Sequence, residues 1–216
     1  MKVLVIGAHG KVAKHLARRL AKEPAIEELA MIRNPEQEAF FTDLGIETLH
    51  LDLVEATEDE LAAAMRTVDA VIFSAGAGGK GLDKTVNVDL DGAIKAMTAA
   101  EQAGLKRFVM VSTFRTGREE IAKGGSIQVY TICKTYADEW LKHRTTLDWT
   151  IVHPGILVDT PGTGQIKVGM GMDINEIPRA DVADTLLAVL KNDGTIHKEF
   201  EVLAGDQAVE EAVASL

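Results

Sequence analysis

The chain has 216 residues, of which 46% are hydrophobic, and its 33 acidic and 23 basic side chains give a formal net charge of −10. This length can bury one sizeable core, and we expect a single domain over residues 1–216. A phosphate backbone would be repelled by the acidic balance, which argues against nucleic acid as a partner. No apolar run approaches the roughly 20 residues of a membrane-spanning helix. We therefore expect no membrane partner and a cytoplasmic location.

The supply of metal-binding side chains argues against a metal centre. Cys133 is the only cysteine, and the six histidines are scattered without paired ligand spacing. Such a composition rules out an intrachain disulfide and a cysteine-based metal cluster. We predict that no metal is bound and that Cys133 is a buried structural thiol.

Short apolar runs alternate with longer amphipathic stretches along the chain. Strands are predicted at Val3–Ile6, Leu29–Ile32, Glu47–Leu51, Ala70–Phe73, Phe108–Val111, Thr150–Val152 and Phe200–Leu203, with a small additional strand near Gln165–Val168. Helices are predicted at Lys11–Ala21, Pro35–Leu44, Glu58–Met65, Val88–Ala103, Gln128–Lys142 and Arg179–Leu190, with a short last helix near Ala208–Ala214. Continuous apolar runs are typical of strands covered on both faces. The predicted fold is α/β, a single doubly wound Rossmann domain with a mostly parallel sheet of about seven strands and helices on both faces.

In such a sheet, ligands bind at the carboxyl ends of the strands, near the point where the strand order reverses. The first strand lies beside that point. We therefore expect one crevice to be formed by the loops that follow Ile6, Ile32, Leu51, Phe73, Val111 and Val152.

The segment Gly7-Ala8-His9-Gly10 follows the first predicted strand and opens the first predicted helix. Gly7 permits a tight turn, Gly10 lets the backbone approach a pyrophosphate, and the amides of the helix face that anion. A plain turn is the alternative interpretation, and His9 could either contact phosphate or be a solvated turn residue. The segment predicts dinucleotide binding by Gly7, His9, Gly10, Lys11 and Val12.

The end of the second strand indicates which dinucleotide binds. NAD-specific sites usually place an Asp or Glu there, about 20 residues after the glycines, to hold the ribose hydroxyls. Here the chain has Arg33 and Asn34 instead. The planar guanidinium suits a 2′-phosphate, although Arg33 could also be a surface charge. We predict NADP(H) rather than NAD(H) as the cofactor.

Two further strand ends are expected to contact the cofactor. Asp52 and Leu53 follow the third strand, beside the adenine position, although Asp52 could equally begin the next helix. Ser74, Ala75 and Gly76 end the fourth strand with small side chains that let the backbone pass near the middle of the cofactor. Packing alone would also explain these small residues.

A candidate catalytic pair lies on the helix predicted at Gln128–Lys142. Tyr130 and Lys134 stand at i and i+4 and therefore on one face. A nearby ammonium favours the phenolate, and Lys134 could also hold the nicotinamide ribose. Tyr130 could then exchange a proton with a substrate oxygen while a hydride moves to or from the nicotinamide. The alternative is that both side chains are simply solvated.

Several motifs in order resemble those of the atypical short-chain dehydrogenase/reductases. They are Gly7-Ala8-His9-Gly10, Asp89-x-x-Gly92, the stretch from Ala103 to Thr113, Leu147-Asp148-Trp149-Thr150-Ile151-Val152-His153-Pro154-Gly155, and Pro178-Arg179-Ala180-Asp181-Val182-Ala183. The chain is most similar to the NAD(P)-binding, NmrA-like and sugar-epimerase-like group that includes biliverdin reductase B-type flavin reductases. The resemblance covers the chain essentially from end to end.

The resemblance implies a set of site residues. It places the family's catalytic hydroxyl on Thr113, with Ser112 near the nicotinamide, and the family's Tyr and Lys on Tyr130 and Lys134. It places further cofactor contacts on Pro154, Gly155 and Ile156. Two positions depart from the pattern: Ala13 replaces the last glycine of the loop, and His153 stands where relatives usually have arginine.

The function expected from these residues is an NADP(H)-dependent oxidoreductase acting on a small-molecule substrate. Two other functions remain open at this point. One is a non-catalytic NADP(H) sensor that recruits a protein partner, and the other is an epimerase that retains its cofactor. The sequence leaves a monomer and a homodimer equally open.

Overall fold

The computed structural model describes residues 1–79 and 81–216. Its strands are β1 (Lys2–Ile6), β2 (Glu27–Ile32), β3 (Glu47–His50), β4 (Ala70–Phe73), β5 (Arg107–Val111), β6 (Asp148–Pro154), β7 (Ile156–Val158), β8 (Gln165–Gly169), β9 (Glu176–Pro178), β10 (Lys198–Ala204) and β11 (Gln207–Ala208). All the predicted strands are present, including the small one near Gln165–Val168.

In the described part of the chain, nine strands form one sheet in the order β11-β8-β10-β6-β5-β4-β1-β2-β3. The strands from β10 to β3 in this order run parallel, whereas β8 is antiparallel to β10 and to β11. The doubly wound, mostly parallel sheet is thus confirmed, with nine strands rather than about seven. The remaining strands, β7 and β9, pair with each other in a separate parallel ribbon.

The helices lie between the strands. They are α1 (Lys11–Leu20), α2 (Glu38–Thr42), α3 (Glu58–Met65), α4 (Leu82–Lys84), α5 (Gly92–Gln102), α6 (Arg118–Ala122), α7 (Gln128–Arg144), α8 (Arg179–Leu190) and α9 (Val209–Ala214). A 3₁₀ turn at Pro35–Gln37 precedes α2, another at Asp193–Thr195 follows α8, and a π-helical segment at Thr85–Asp91 joins α4 to α5. None of the described helices is long and apolar enough to cross a membrane.

Two details of the helices differ from the sequence predictions. The helix predicted from Val88 begins at Leu82 and passes through the π-helical segment, and α6 was not predicted. The interpretation of Asp52 as the start of the next helix is wrong. Thr57 caps α3, accepting a hydrogen bond from the Glu60 amide, while Asp52 Oδ1 accepts one from the Val54 amide at 2.8 Å.

The core lies in two layers, one on each face of the sheet, because neighbouring residues of a strand point to opposite sides. Val3 and Val5 of β1 pack in the layer that contains α1 and α8. Leu4 and Ile6 pack in the layer that contains α3 and α5. Burial on both faces explains why these strands are continuously apolar, and it leaves the strand ends as the place for polar chemistry.

Candidate functional site

A cleft of about 650 Å³ opens at the carboxyl ends of β1, β2 and β4, where the strand order reverses. Ten residues that the sequence predicted as cofactor contacts line it, namely Gly7, His9, Gly10, Lys11, Arg33, Asp52, Leu53, Ser74, Ala75 and Gly76. The parallel register therefore brings together loops that are far apart in the sequence.

The glycine loop is fixed by close backbone contacts. Gly7 has a φ of +82°, and a Cβ there would lie 2.6 Å from Cα of Ala75, so only glycine fits between the loops after β1 and β4. Gly10 is the N-cap of α1, and its amide donates to the Gly7 carbonyl at 2.9 Å. The open first turn of α1 thus faces the cleft and suits an anion such as a pyrophosphate.

The cleft is positively charged although the protein as a whole is acidic. Asp52 is the only acidic side chain among its described lining residues, against four basic ones, Lys11, Arg33, Lys84 and Arg179. At the end of β2, the backbone amides of Arg33 and Asn34 both donate to Oε1 of Gln37 at 3.3 Å. Gln37 thereby fixes the backbone that presents Arg33. This balance of charge fits a ligand with several phosphates.

His9 packs against an aromatic ring at the edge of the cleft. Its ring centroid lies 6.2 Å from that of Phe40, in an edge-on arrangement. Burial and the nearby Lys14 ammonium lower the pKa of His9. A neutral imidazole that lines the cleft can donate one hydrogen bond to a phosphate but adds no full charge.

The other predicted site residues lie outside the lining of this cleft, namely Val12, Asn34, Ser112, Thr113, Tyr130, Lys134, Pro154, Gly155 and Ile156. The side chain of Val12 is in the core, so only its backbone could face an anion. The backbone of Asn34 instead bonds to Gln37 in the turn that begins the 3₁₀ segment.

Lys134 is buried in an ion pair. Its Nζ atom lies 3.2 Å from Oδ1 of Asp89 and donates to the carbonyl oxygen of Val111 at 3.2 Å. The same ammonium lies 5.9 Å from the ring centroid of Tyr130. Burial lowers the pKa of Lys134, but Tyr130, Asp89 and Asp138 raise it more, and the amine stays charged. The structure therefore brings the predicted pair together around a fixed positive charge.

Asp89 connects that charge to the cleft. Its Oδ2 atom accepts a hydrogen bond from the amide of Ala77 at 2.9 Å, in the loop after β4 that lines the cleft. Three residues later, a Cβ on Gly92 would lie 2.8 Å from the side chain of Leu53. The motif Asp89-x-x-Gly92 thus holds the β4 loop and lets the helix pack beside the β3 loop.

Ser112 bonds away from the cleft. Its hydroxyl donates to Oδ2 of Asp138 at 2.6 Å, and both residues are buried. Burial raises the pKa of Asp138, although His153, Ser112 and Lys134 oppose this. The neighbouring Thr113 is half-buried and lies two residues after the end of β5. Of the two predicted hydroxyls, that of Ser112 is therefore already engaged in a hydrogen bond within the protein.

His153, one of the two departures from the family pattern, is buried between Thr113 and Glu199. Its Nδ1 atom lies 2.8 Å from the carbonyl oxygen of Thr113, which can only accept, so Nδ1 carries a proton. Its Nε2 atom lies 3.5 Å from Oε2 of Glu199. Burial lowers the pKa of His153, but the contacts with Glu199, Asp138 and the Thr113 carbonyl raise it above the ordinary value. The Nδ1–H group of His153 therefore fixes the backbone of Thr113.

The Pro154-Gly155-Ile156 segment is shaped by packing. A Cβ on Gly155 would lie 2.3 Å from the carbonyl oxygen of Asn175 and 2.4 Å from Cδ2 of Leu203. Ile156 begins β7 and is exposed.

Cys133 is buried, and burial raises the pKa of its thiol.

Sequence reasoning missed several residues of the site. Gln37, Lys84 and Arg179 line the cleft, and Asp89 and Asp138 contact the residues of the predicted catalytic group. Asp89 and Arg179 each stand in a motif that carries the family resemblance. Those motifs could have identified both as site residues, but neither motif was given a role.

The fold and this cleft define a dinucleotide-binding protein of the Rossmann type. The profile of the NAD(P)H-binding family matches residues 7–193, and the chain belongs to that family. The chain is 39% identical to the uncharacterized sugar epimerase YhfK of Bacillus subtilis, and the match covers the full length of both proteins.

Many solved structures share the fold, among them ylbE and ChuY. The oxidoreductase ylbE from Lactococcus lactis is 35% identical, with a TM-score of 0.90 over 100% of this chain and 96% of that one. ChuY, an anaerobillin reductase from Escherichia coli O157:H7, is 21% identical, with a TM-score of 0.78 over 95% of this chain and 98% of that one. The likeness to ChuY concerns the fold alone.

Proposed function

We propose that the protein is an NADP(H)-dependent oxidoreductase that acts on a small-molecule substrate. The observation that carries this proposal is the fixed ammonium of Lys134, 5.9 Å from the ring of Tyr130. A fixed cation beside a tyrosine is an arrangement that general acid–base catalysis can use. The name of the relative ylbE, an oxidoreductase, agrees with this function.

The preference for NADP(H) over NAD(H) rests on Arg33. It directly follows β2 and lines the cleft, at the position where an NAD-specific site would have a carboxylate. Its guanidinium would pair with the 2′-phosphate, while the first turn of α1 and Lys11 would face the pyrophosphate. Ser74, Ala75 and Gly76 would let the cofactor pass beside β4.

The bound nicotinamide would supply or accept the hydride. Tyr130 would exchange the accompanying proton with a substrate oxygen beside the fixed ammonium of Lys134. Thr113, its backbone fixed by His153, would donate a hydrogen bond to the same oxygen. Asp89 would hold both Lys134 and the β4 loop in place.

Cofactor preference is tested by titrating the protein with NADPH and with NADH. Replacing Arg33 with Gln should weaken NADPH binding about 10- to 100-fold, as expected for a charge-assisted phosphate contact, and leave NADH binding unchanged. Arg66→Gln, at an exposed residue after α3, is the matched control. Equal or better binding of NADH by the unmodified protein would contradict the role of Arg33.

Catalysis is tested with Tyr130→Phe in a panel of carbonyl and flavin substrates with NADPH. Turnover should fall at least about 100-fold while NADPH affinity is retained. The chain has only two tyrosines, so Tyr136→Phe, an exposed position on the same helix, is the natural control. Full turnover by the Tyr130→Phe variant would show that Tyr130 does not take part in proton transfer.

One alternative is favoured by a specific observation, the sugar epimerase name of YhfK. An epimerase retains its dinucleotide and regenerates it in each cycle. Cofactor that copurifies with the protein, together with sugar epimerisation without net NADPH consumption, would support this function over the first.

A further inference from the structure

Asp159 bridges two basic residues at the rim of the cleft. Its Oδ2 atom lies 2.8 Å from Nζ of Lys11, and its Oδ1 atom lies 2.7 Å from Nη1 of Arg179. Both cations line the cleft, whereas Asp159 is not among its lining residues. A single carboxylate thus pairs with two of the four basic side chains described in the lining.

The backbone fixes this arrangement. Val158 of β7 pairs in register with Pro178 of β9, so Asp159 and Arg179 each directly follow a paired residue. Lys11 is the first residue of α1, the helix whose amino end faces the cleft. The three side chains therefore meet where a pyrophosphate would approach that helix end.

The carboxylate and a pyrophosphate would compete for the same two cations. The side chains of Lys11 and Asp159 are 66% and 59% exposed, so their pairing is weak and readily exchanged. The Arg179 side chain is only 18% exposed and is held at the start of α8. Since a carboxylate beside a phosphate repels it, Asp159 opposes dinucleotide binding even after it releases the cations.

We propose that Asp159 is an internal counterion that competes with the pyrophosphate of the dinucleotide for Lys11 and Arg179. This inference rests on the proposed function, and it adds Arg179 to the cofactor contacts. Asp159 thereby limits the affinity for the dinucleotide. It also holds Lys11 and Arg179 in place while the cleft contains no dinucleotide.

The test is a set of titrations with NADPH and NADH at several salt concentrations. Asp159→Asn should bind both dinucleotides about 3- to 10-fold more tightly, because both carry the pyrophosphate. Arg179→Gln should weaken both, and Asp159→Asn should gain less in the Arg179→Gln background. Asp43→Asn, at the exposed C-cap of α2, makes the same change of charge elsewhere and should have no effect.

The outcomes separate this inference from the proposed function. Unchanged or weaker binding by a folded Asp159→Asn variant would overturn the competition while leaving the cofactor assignment intact. If Asp159→Asn bound NADPH but not NADH more tightly, Asp159 would compete with the 2′-phosphate. That result would overturn the proposal that it competes with the pyrophosphate. Binding of neither dinucleotide by the unmodified protein would overturn the proposed function itself, and this inference with it.

Discussion

The Nζ atom of Lys134 lies 3.2 Å from Oδ1 of Asp89, with 4% and 0% of the two side chains exposed. Removing one charge of such a pair leaves the other buried and uncompensated. We predict that Asp89→Asn lowers the free energy of unfolding by about 3–5 kcal/mol, measured by chemical denaturation. The exposed Asp91→Asn, two residues along, should change it little. If Lys134→Met added to Asp89→Asn restored no stability, the two charges would not be coupled.

The ion pair of His153 and Glu199 should make stability depend on pH. The raised pKa of His153 stabilises the fold fully below pH 6.5, and this contribution is lost as pH rises through the folded-state value. Contact with His153 is the main cause that lowers the pKa of Glu199 to about 2. The contribution of Glu199 to the free energy of unfolding is therefore full above pH 4.5 and is lost as pH falls toward 2.

Glu199→Gln should therefore reduce the free energy of unfolding most between pH 4.5 and 6.5, by on the order of 1 kcal/mol because Glu199 is partly exposed. Denaturation curves at a series of pH values measure this difference. Glu176→Gln, at an exposed residue of β9, serves as the control. A difference that does not vary with pH would exclude the charged pair as its cause.

Glu28 is a buried carboxyl in β2, and neither of its oxygens has a hydrogen-bond partner among the described residues. Burial raises the pKa of Glu28 from 4.5 to about 8. Since the folded state keeps a proton that the unfolded state loses, the free energy of unfolding should fall as pH rises from 4.5 to 8.

The Glu28→Gln variant should not show this fall. At high pH its free energy of unfolding should exceed that of the unmodified protein by about 3–5 kcal/mol, an upper estimate from the size of the pKa shift of Glu28. The two proteins should be nearly equal near pH 4. Thermal melts across the pH range provide the measurement, with the exposed neighbour Glu27→Gln as control. Parallel pH profiles for Glu28→Gln and the unmodified protein would show that Glu28 titrates normally.

Gly155 should prove to be a packing position. A Cβ there meets the carbonyl oxygen of Asn175 at 2.3 Å, so Gly155→Ala should cost about 1–3 kcal/mol of stability. At Gly169 a Cβ would find only Met172, at 3.6 Å, and Gly169→Ala should be close to neutral. An unchanged melting temperature for Gly155→Ala would show that the β9 segment can move aside.

The parallel strands could be predicted because burial on both faces makes them continuously apolar. The short strands β7, β9 and β11 could not, since they have only two or three residues each. The helix before Val88 was missed for a related reason, as its π-helical segment does not follow the ordinary helical period.

The cleft was largely predictable because its residues follow strands whose order the fold class dictates. The contacts behind it were not. Arg179 reaches the cleft through the pairing of β7 with β9, and Asp89 meets Lys134 only when α7 packs on the π-helical segment. Such partners are set by tertiary packing, and no local pattern of the sequence specifies them.

The two ends of the sheet differ in charge. The carboxyl-end cleft is lined by four basic side chains, whereas Glu23, Glu27 and Glu47, with Lys2, line a pocket at the amino ends of β1 to β3. Glu28 also lines this pocket, but its raised pKa of about 8 keeps it mostly uncharged at pH 7. The molecule is therefore electrically polarised along its strands despite its acidic total. An anionic dinucleotide would be repelled from one end and guided toward the other. Its association rate should thus exceed that expected from the net charge and should fall as salt is added.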